Sequence, residues 1–338
     1  MNALNANPEA LTLFVIVAAA LICVVLIRLL LPLLRLYALA RPNARSSHRE
    51  PTPQGAGIAV IAASLSTAGA AAIAAGLDVP AMLLSATLLI ALVGLVDDVR
   101  PIAVLPRLLL QAASVGAVTF LLPRDLRIAP ELPLAIERGL ILLAGLWFVN
   151  LVNFMDGLDL MTAAEVVPIA GAIALLGLIG PFSAFATVLA AALFGAMIGF
   201  APFNRPIAKV FLGDVGSLPI GLLLGWCLLQ LACHQQLIAA LLLPLYYLAD
   251  ATITLLRRML KRQPFWAAHR THFYQRATDN GFSVPDVVGR VFALNVVLAA
   301  LAIASTFTNS TPLRVLALAG GIAAVGFVLS RFSQGRSS

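Results

Sequence analysis

Apolar stretches of about 17 to 25 residues follow one another along almost the whole chain, broken by short clusters of Pro, Gly and charge. Runs of that length match the ~20 residues a helix needs to cross a ~30 Å hydrocarbon layer. Because that layer holds no water for peptide groups, only helices and closed barrels span it, and barrel strands would alternate in polarity every second residue. The runs here do not alternate. Taken between their breaks they predict eleven helices, near residues 11–36, 56–76, 80–96, 103–122, 136–152, 160–179, 182–201, 216–233, 237–256, 288–307 and 313–330. The expectation is an all-α polytopic membrane protein. With no long linker and no internal repeat, residues 1–338 are expected to form a single domain.

Composition strengthens this: 61% of the 338 residues are hydrophobic and the mean hydropathy is +0.99, more apolar surface than a soluble core can hide. The first ten residues carry no Lys or Arg, and the run from Leu11 to Leu34 is too long for the core of a cleaved signal, so it is expected to stay as the first span. Cys23, Cys227 and Cys233 lie inside apolar runs without CxxC spacing and are read as packing residues. The GxxxG patterns from Gly195 to Gly199 and from Gly221 to Gly225 are read as close helix contacts.

The net charge of +7 does not point to nucleic acid, because the bases are scattered through short loops without interleaved aromatics. They report topology instead. With the amino end outside, 17 of the 22 Lys and Arg fall on cytoplasmic junctions, against Arg124, Arg127, Arg138 and Arg314 outside and Arg28 within the first span. The bias predicts a periplasmic N-terminus and a cytoplasmic C-terminus.

Acids are scarce. Of fifteen, five fall in three groups at helix ends expected on the cytoplasmic side: Asp97 and Asp98 in "GLVDDVR", Asp156 and Asp159 in "NFMDGLDLM", and Asp214 in "FLGDVGS". Each group taken alone has an ordinary explanation. Asp214 suits an N-cap, Asp97 and Asp98 a polar stop partnered by Arg100, and Asp156 with Asp159 one helical face, where two like charges cost energy. Together on one side of the bilayer they suggest a cation, since several carboxylates at low dielectric cannot all stay ionised without one. Oxygen ligands without His or Cys spacing favour Mg²⁺, with Mn²⁺ as the alternative. Such an ion grips phosphates, so a phosphate or diphosphate substrate is expected.

A basic counterpart lies in "RRMLKRQPFWAAHRTHFYQR", residues 257–276. Arg257, Arg258, Lys261 and Arg262 read as an anchor for anionic lipid, whereas His269, Arg270 and His272 suit recognition of phosphate oxygens. A His-metal site is the weaker alternative there. Asp250, inside the ninth run with Arg257 two turns away, reads as a buried structural pair or a cavity-lining acid rather than a catalytic one. Arg49, in the loop "RSSHREPTPQGAG", either reaches a phosphate or is solvated.

"GLVDDVR", "NFMDGLDLM", "FNRPIAKVFLGDVGSLPIG" and "HRTHFYQR", in this order behind the "PTPQGAG" loop, resemble the motifs of the polyprenyl-phosphate N-acetylhexosamine-1-phosphate transferases, glycosyltransferase family 4. That family includes the phospho-N-acetylmuramoyl-pentapeptide translocase and the initiators of O-antigen synthesis. The resemblance covers about residues 41–290. It implies transfer of a sugar 1-phosphate from a UDP-N-acetylhexosamine to undecaprenyl phosphate, with Mg²⁺ required and UMP released. It also implies a multi-pass protein of the bacterial inner membrane with its site facing the cytoplasm; a homodimer is what it suggests for assembly. Asp214 then looks like the principal metal ligand with Asp98 sharing the ion. Asp97 and Asp98 match paired acids with competing roles, as base or in positioning and metal binding. Asn153, Asp156 and Asp159 match the nucleotide side, Phe211 resembles an aromatic stacked on uracil, and Asn204 sits at its polar approach. His269, Arg270 and His272 look like the loop that holds the diphosphate and sugar, and Arg49 stands where relatives often carry Lys.

Two positions depart from the pattern: Leu160 replaces the second Gly of DGxDGL, and Ala56 interrupts a Gly pair. The His loop lacks the triple-His run of the peptidoglycan branch and is closer to the O-antigen initiators. A reading of another class, a cation-coupled transporter, would need acids near the bilayer midplane and discontinuous helices.

Overall fold

Ten of the eleven predicted runs are single helices, and the ninth is broken in two. The computed structural model describes residues 7–40, 51–180, 182–263 and 269–335. In chain order the helices are α1 (Pro8–Tyr37), α2 (Gly57–Ala75), α3 (Ala81–Val99), α4 (Val104–Phe120), α5 (Leu134–Met155), α6 (Met161–Ile179), α7 (Ala184–Phe200), α8 (Asp214–Cys233), α9 (Leu237–Leu242), α10 (Leu245–Leu260), α11 (Phe273–Asp279), α12 (Val284–Thr306) and α13 (Thr311–Ser333). The molecule is an all-α polytopic membrane protein. Among the described residues nine helices are long and apolar enough to cross a bilayer, α4 is a shorter apolar helix, and the pair α9 and α10 takes the remaining position.

The break has a covalent cause. Pro244 carries no N–H and its ring crowds the preceding turn, so α9 stops at Leu242 and α10 begins at Leu245 with Pro244 as its N-cap. The seven-residue α11 was not anticipated, because its apolar run is too short to stand out from a basic loop.

Lipid tails are as apolar as leucine, so helices in a bilayer associate through close packing of small residues rather than by escaping water. Among the spanning helices α8 is the most enclosed by the rest of the fold and α13 the least. α8 packs between α3 and α5, while α7 packs against α1, α2 and α6. Both GxxxG patterns are contact faces, as read. A Cβ on Gly195 would lie 2.2 Å from the Ile16 carbonyl oxygen of α1, and one on Gly221 would lie 2.9 Å from Val149 Cα of α5. Cys23 and Cys227 are buried in this packing with free thiols.

A small ribbon organises one end of the bundle. β1 (Leu39–Ala40) pairs antiparallel with β2 (Thr52–Pro53), and the chain entering α8 joins them. Phe211 N donates to Pro53 O at 2.8 Å, and Gly55 N and Ala56 N both donate to Phe211 O. A Cβ on Gly57 would meet Gly216 Cα at 2.2 Å, so the starts of α2 and α8 touch backbone to backbone. Elsewhere, the loop between α4 and α5 is held by Glu137, which accepts the amides of Ile128 and Ala129, and by Arg138, which donates to Pro123 O and Leu126 O.

Candidate active site

α8 begins at Asp214, straight after Gly213 at φ 78°, and no side chain from its own N-cap serves its first amides. That service comes from α3. Asp98 Oδ1 accepts Asp214 N at 2.8 Å and Asp98 Oδ2 accepts Val215 N at 3.0 Å. Gln54 Nε2 donates to Asp98 Oδ1 and to its main-chain oxygen, both at 3.2 Å, which ties the ribbon into the same corner. Glycine is required twice here. A Cβ on Gly213 would stand 2.5 Å from Asp98 Oδ2, and one on Gly94 would stand 2.2 Å from Asp214 O. Asp214 is therefore the first residue of α8 rather than its N-cap, and Asp98 supplies the cap across the fold.

The neighbouring acid points elsewhere, since successive side chains on a helix diverge by ~100°. Asp97 Oδ1 accepts Ile102 N at 2.6 Å, and Oδ2 accepts Arg107 Nη1 at 2.8 Å. Arg107 Nη1 also stands 3.8 Å from Asp214 Oδ2, and the Asp97 and Asp214 side chains interact directly. Arg100, the partner expected from sequence, is exposed; Arg107 takes that place. From α5, Asn153 Nδ2 donates to Asp214 Oδ1 at 2.7 Å and to Ser217 Oγ at 2.9 Å.

Asp156 and Asp159 do not share a helical face, because α5 ends at Met155 and both lie in the turn before α6. The Thr162 hydroxyl donates to Asp156 Oδ1. Burial pushes the Asp156 carboxyl up to about 6, opposed by the Thr162 bond and reinforced by the charges of Asp98 and Asp159. Asp159 Oδ2 accepts Ala208 N at 3.1 Å. Asn204 is buried and uses both ends of its amide, accepting Leu160 N at 2.7 Å and donating to Val210 O at 3.1 Å. Leu160 has φ 64°, the left-handed backbone that the Gly of related sequences would favour, and Asn204 holds it there. Phe211, half-buried, carries the main-chain bonds to the ribbon.

The His loop is organised by Asp250, which is fully buried in α10. Its Oδ1 accepts Phe273 N at 3.0 Å and faces His272 Nδ1 at 3.2 Å, and its Oδ2 accepts Tyr274 N at 3.1 Å and Tyr246 Oη at 3.2 Å. The expected pair with Arg257 is thus replaced by a cap on α11, while Arg257 lies over the Phe273 ring at 4.6 Å. The His269 ring stacks on His272 at 5.0 Å, and His272 on Tyr274 at 5.7 Å. Arg270 Nη2 donates to Thr278 Oγ1 at 3.2 Å and pairs with Asp279 at 3.4 Å. Tyr274 Oη donates to Phe154 O at 3.1 Å, docking α11 on the turn that carries Asp156. Burial raises the Tyr274 hydroxyl well above its ordinary value, so it stays a donor.

Arg49 lies outside the described residues. Among the described residues no three His, Cys, Asp or Glu side chains form a ready cage for a metal ion. The gathered donors are nevertheless the kind Mg²⁺ uses, one or two carboxylates with water and phosphate completing the shell. Asp214 has a side chain 27% exposed, and its Oδ2 lies 3.8 Å from Arg107 Nη1. The first amides of α8 are already taken within the fold and are not open to phosphate: Asp98 takes those of Asp214 and Val215, and Gly213 O takes those of Gly216 and Ser217. Gln54, Thr162 and Arg107 were not singled out from sequence. Arg107 had a signal: a base at the start of an apolar run, ten residues beyond an acid pair.

Residues 80–232 match the model of glycosyl transferase family 4. The resemblance drawn from the motifs is thereby borne out. The matched stretch runs from the start of α3 almost to the end of α8 and carries Asp97, Asp98, Asn153, Asp156, Asp159, Asn204, Phe211 and Asp214. Among curated proteins, the chain is 26% identical over 281 residues, 78% of each chain, to a probable undecaprenyl-phosphate N-acetylglucosaminyl 1-phosphate transferase of Bacillus subtilis (strain 168). It is 30% identical over 167 residues to a phospho-N-acetylmuramoyl-pentapeptide-transferase of Bartonella quintana (strain Toulouse), covering 44% of this chain and 46% of that protein.

Proposed function

We propose that this protein transfers an N-acetylhexosamine 1-phosphate from a UDP-sugar to undecaprenyl phosphate at the cytoplasmic face of a bacterial inner membrane. The products are the undecaprenyl-diphosphate sugar and UMP, and the pathway is O-antigen or a related envelope polysaccharide. One observation carries the proposal: acids from α3 and α8, far apart in sequence, meet with Asn153 of α5 at one end of the bundle. A helix end is where a lipid phosphate and a water-soluble nucleotide can meet.

Asp214, with Asp97 beside it, is the pair that would hold Mg²⁺, which when bound offsets the charge of the diphosphate. Asp98 was expected to share the ion. Its two oxygens already accept two amides and Gln54, which favours a positioning role; Asp97, held by the amide of Ile102 and by Arg107, is the acid assigned to take a residual proton from the acceptor phosphate. An acceptor oxygen attacks the sugar-proximal phosphorus; as that P–O bond forms, the bond to UMP breaks and its electron pair leaves with UMP. Asp250 orients the His272 ring through Nδ1, and His272, His269 and Arg270 would hold the diphosphate and sugar of the donor. Asn153, Asp156 and Asp159 line the nucleotide side, Phe211 stacks on uracil, Asn204 fixes the turn beneath it, and Arg49 contacts phosphate.

Purified protein mixed with undecaprenyl phosphate, Mg²⁺ and a panel of UDP-N-acetylhexosamines tests this by UMP release, and the preferred donor names the sugar. The expected result is acceptor-dependent UMP from at least one donor. No UMP from any donor, with solute flux in proteoliposomes, would favour a transporter instead.

A further inference from the structure

Arg107 lies in the first turn of α4, where the positive end of the helix dipole disfavours a cation. Something must offset that cost. Its Nη1 stands 2.8 Å from Asp97 Oδ2 and 3.8 Å from Asp214 Oδ2, so one guanidinium nitrogen lies near both carboxylates. The rest of the guanidinium is poorly used, since its Nε is buried with no hydrogen-bond partner. An ordinary ion pair closing the turn between α3 and α4 would account for the contact with Asp97. It does not account for the approach to an acid on α8.

Taking the site as the phosphotransfer centre proposed above, we propose that Arg107 is the resident counter-cation of the Asp97 and Asp214 pair and competes with the divalent ion for it. Two ionised carboxylates in direct contact repel, and a positive charge beside both offsets the repulsion. Arg107 supplies that charge in the ion-free protein and keeps the ends of α3 and α8 together. Loading the ion then requires the guanidinium to withdraw from Asp214, whose contact is the longer of the two. Its side chain is 22% exposed, so a path toward water exists. The freed donors, five N–H groups in a planar fork, suit the phosphates that arrive with the ion. Affinity for the bare ion is thereby held down.

Mn²⁺ binding, followed by loss of the free-ion electron paramagnetic resonance signal in lipid nanodiscs, tests this without turnover. Arg107→Gln should bind Mn²⁺ about tenfold more tightly than the unmodified protein, because a competing unit charge near the ion has gone. Arg107→Lys keeps a charge but not the fork and should bind about threefold more tightly; it serves if the Gln variant does not fold. Unchanged or weaker Mn²⁺ binding in these variants, while Asp214→Asn abolishes it, overturns the counter-cation role and leaves the metal site standing. Absence of saturable Mn²⁺ binding in both the unmodified protein and Arg107→Gln overturns the site reading and the proposal together.

Discussion

The main-chain amide of Asp214 is held 2.8 Å from Oδ1 of Asp98, so the residue that opens α8 is fixed by an acid 116 positions earlier in the chain. The second Asp98 oxygen takes the amide of Val215. Capping a helix end in this way satisfies two donors that would otherwise be orphaned, and it locks the direction in which the Asp214 side chain leaves the backbone.

Asp98→Asn should therefore damage position before charge. Its amide can accept only one of the two N–H groups and sets a donor against the other. A stability loss of about 1 to 3 kcal/mol is expected, together with UMP release down by about a hundredfold. Thermal unfolding in detergent and the UMP assay check both; unchanged unfolding would remove the capping role.

Asp214→Asn separates differently. The substituted side chain can still accept from Asn153 Nδ2, which bonds Oδ1 at 2.7 Å, so folding and insertion should survive. UMP release should be nearly abolished and Mn²⁺ binding lost. Near-normal turnover would contradict its role as ligand.

Asp250→Ala should release the His loop. It leaves the amides of Phe273 and Tyr274 and the Tyr246 hydroxyl without their buried acceptor, at a cost of about 3 kcal/mol or more. Proteolysis near α11 should speed up, and the KM for the UDP-sugar should rise. An unaltered cleavage pattern would show that α11 does not depend on this cap.

Asp156 supplies a pH dependence. Its carboxyl rises from 3.8 to about 6 on folding, because burial disfavours the charge. A raised value means the folded protein holds the proton more tightly. The associated stability is complete below the unfolded value of 3.8 and is lost as the pH rises through about 6. Without divalent ions, Asp156→Asn should accordingly gain on the unmodified protein by roughly 1 to 2 kcal/mol between about pH 4 and pH 7, a figure reduced for partial exposure. A stability difference that stays constant over this range would count against the shift.

Most of the helices were legible in the linear pattern, and so were the acids that matter. A bilayer accepts few structures, and a run long enough to cross it declares itself without reference to any neighbour. Leu160 was legible as a departure from DGxDGL but not as a left-handed turn, whereas both GxxxG faces were visible as spacing. The interruption at Pro244 had its signal too, but the long apolar run around it masked the proline.

Sequence alone thus determined the solvent, the helical class and the identity of the scarce charged groups, because burying a peptide group or a carboxylate in hydrocarbon is costly wherever it occurs. Only the tertiary structure decided which of two adjacent aspartates faces Asp214 and which caps α8, that Arg107 rather than Arg100 answers the acids, and that Asp250 serves α11 rather than Arg257. Those pairings depend on helix rotation and on approach through glycine contacts of a few ångströms. Neither quantity leaves a mark on the order of residues.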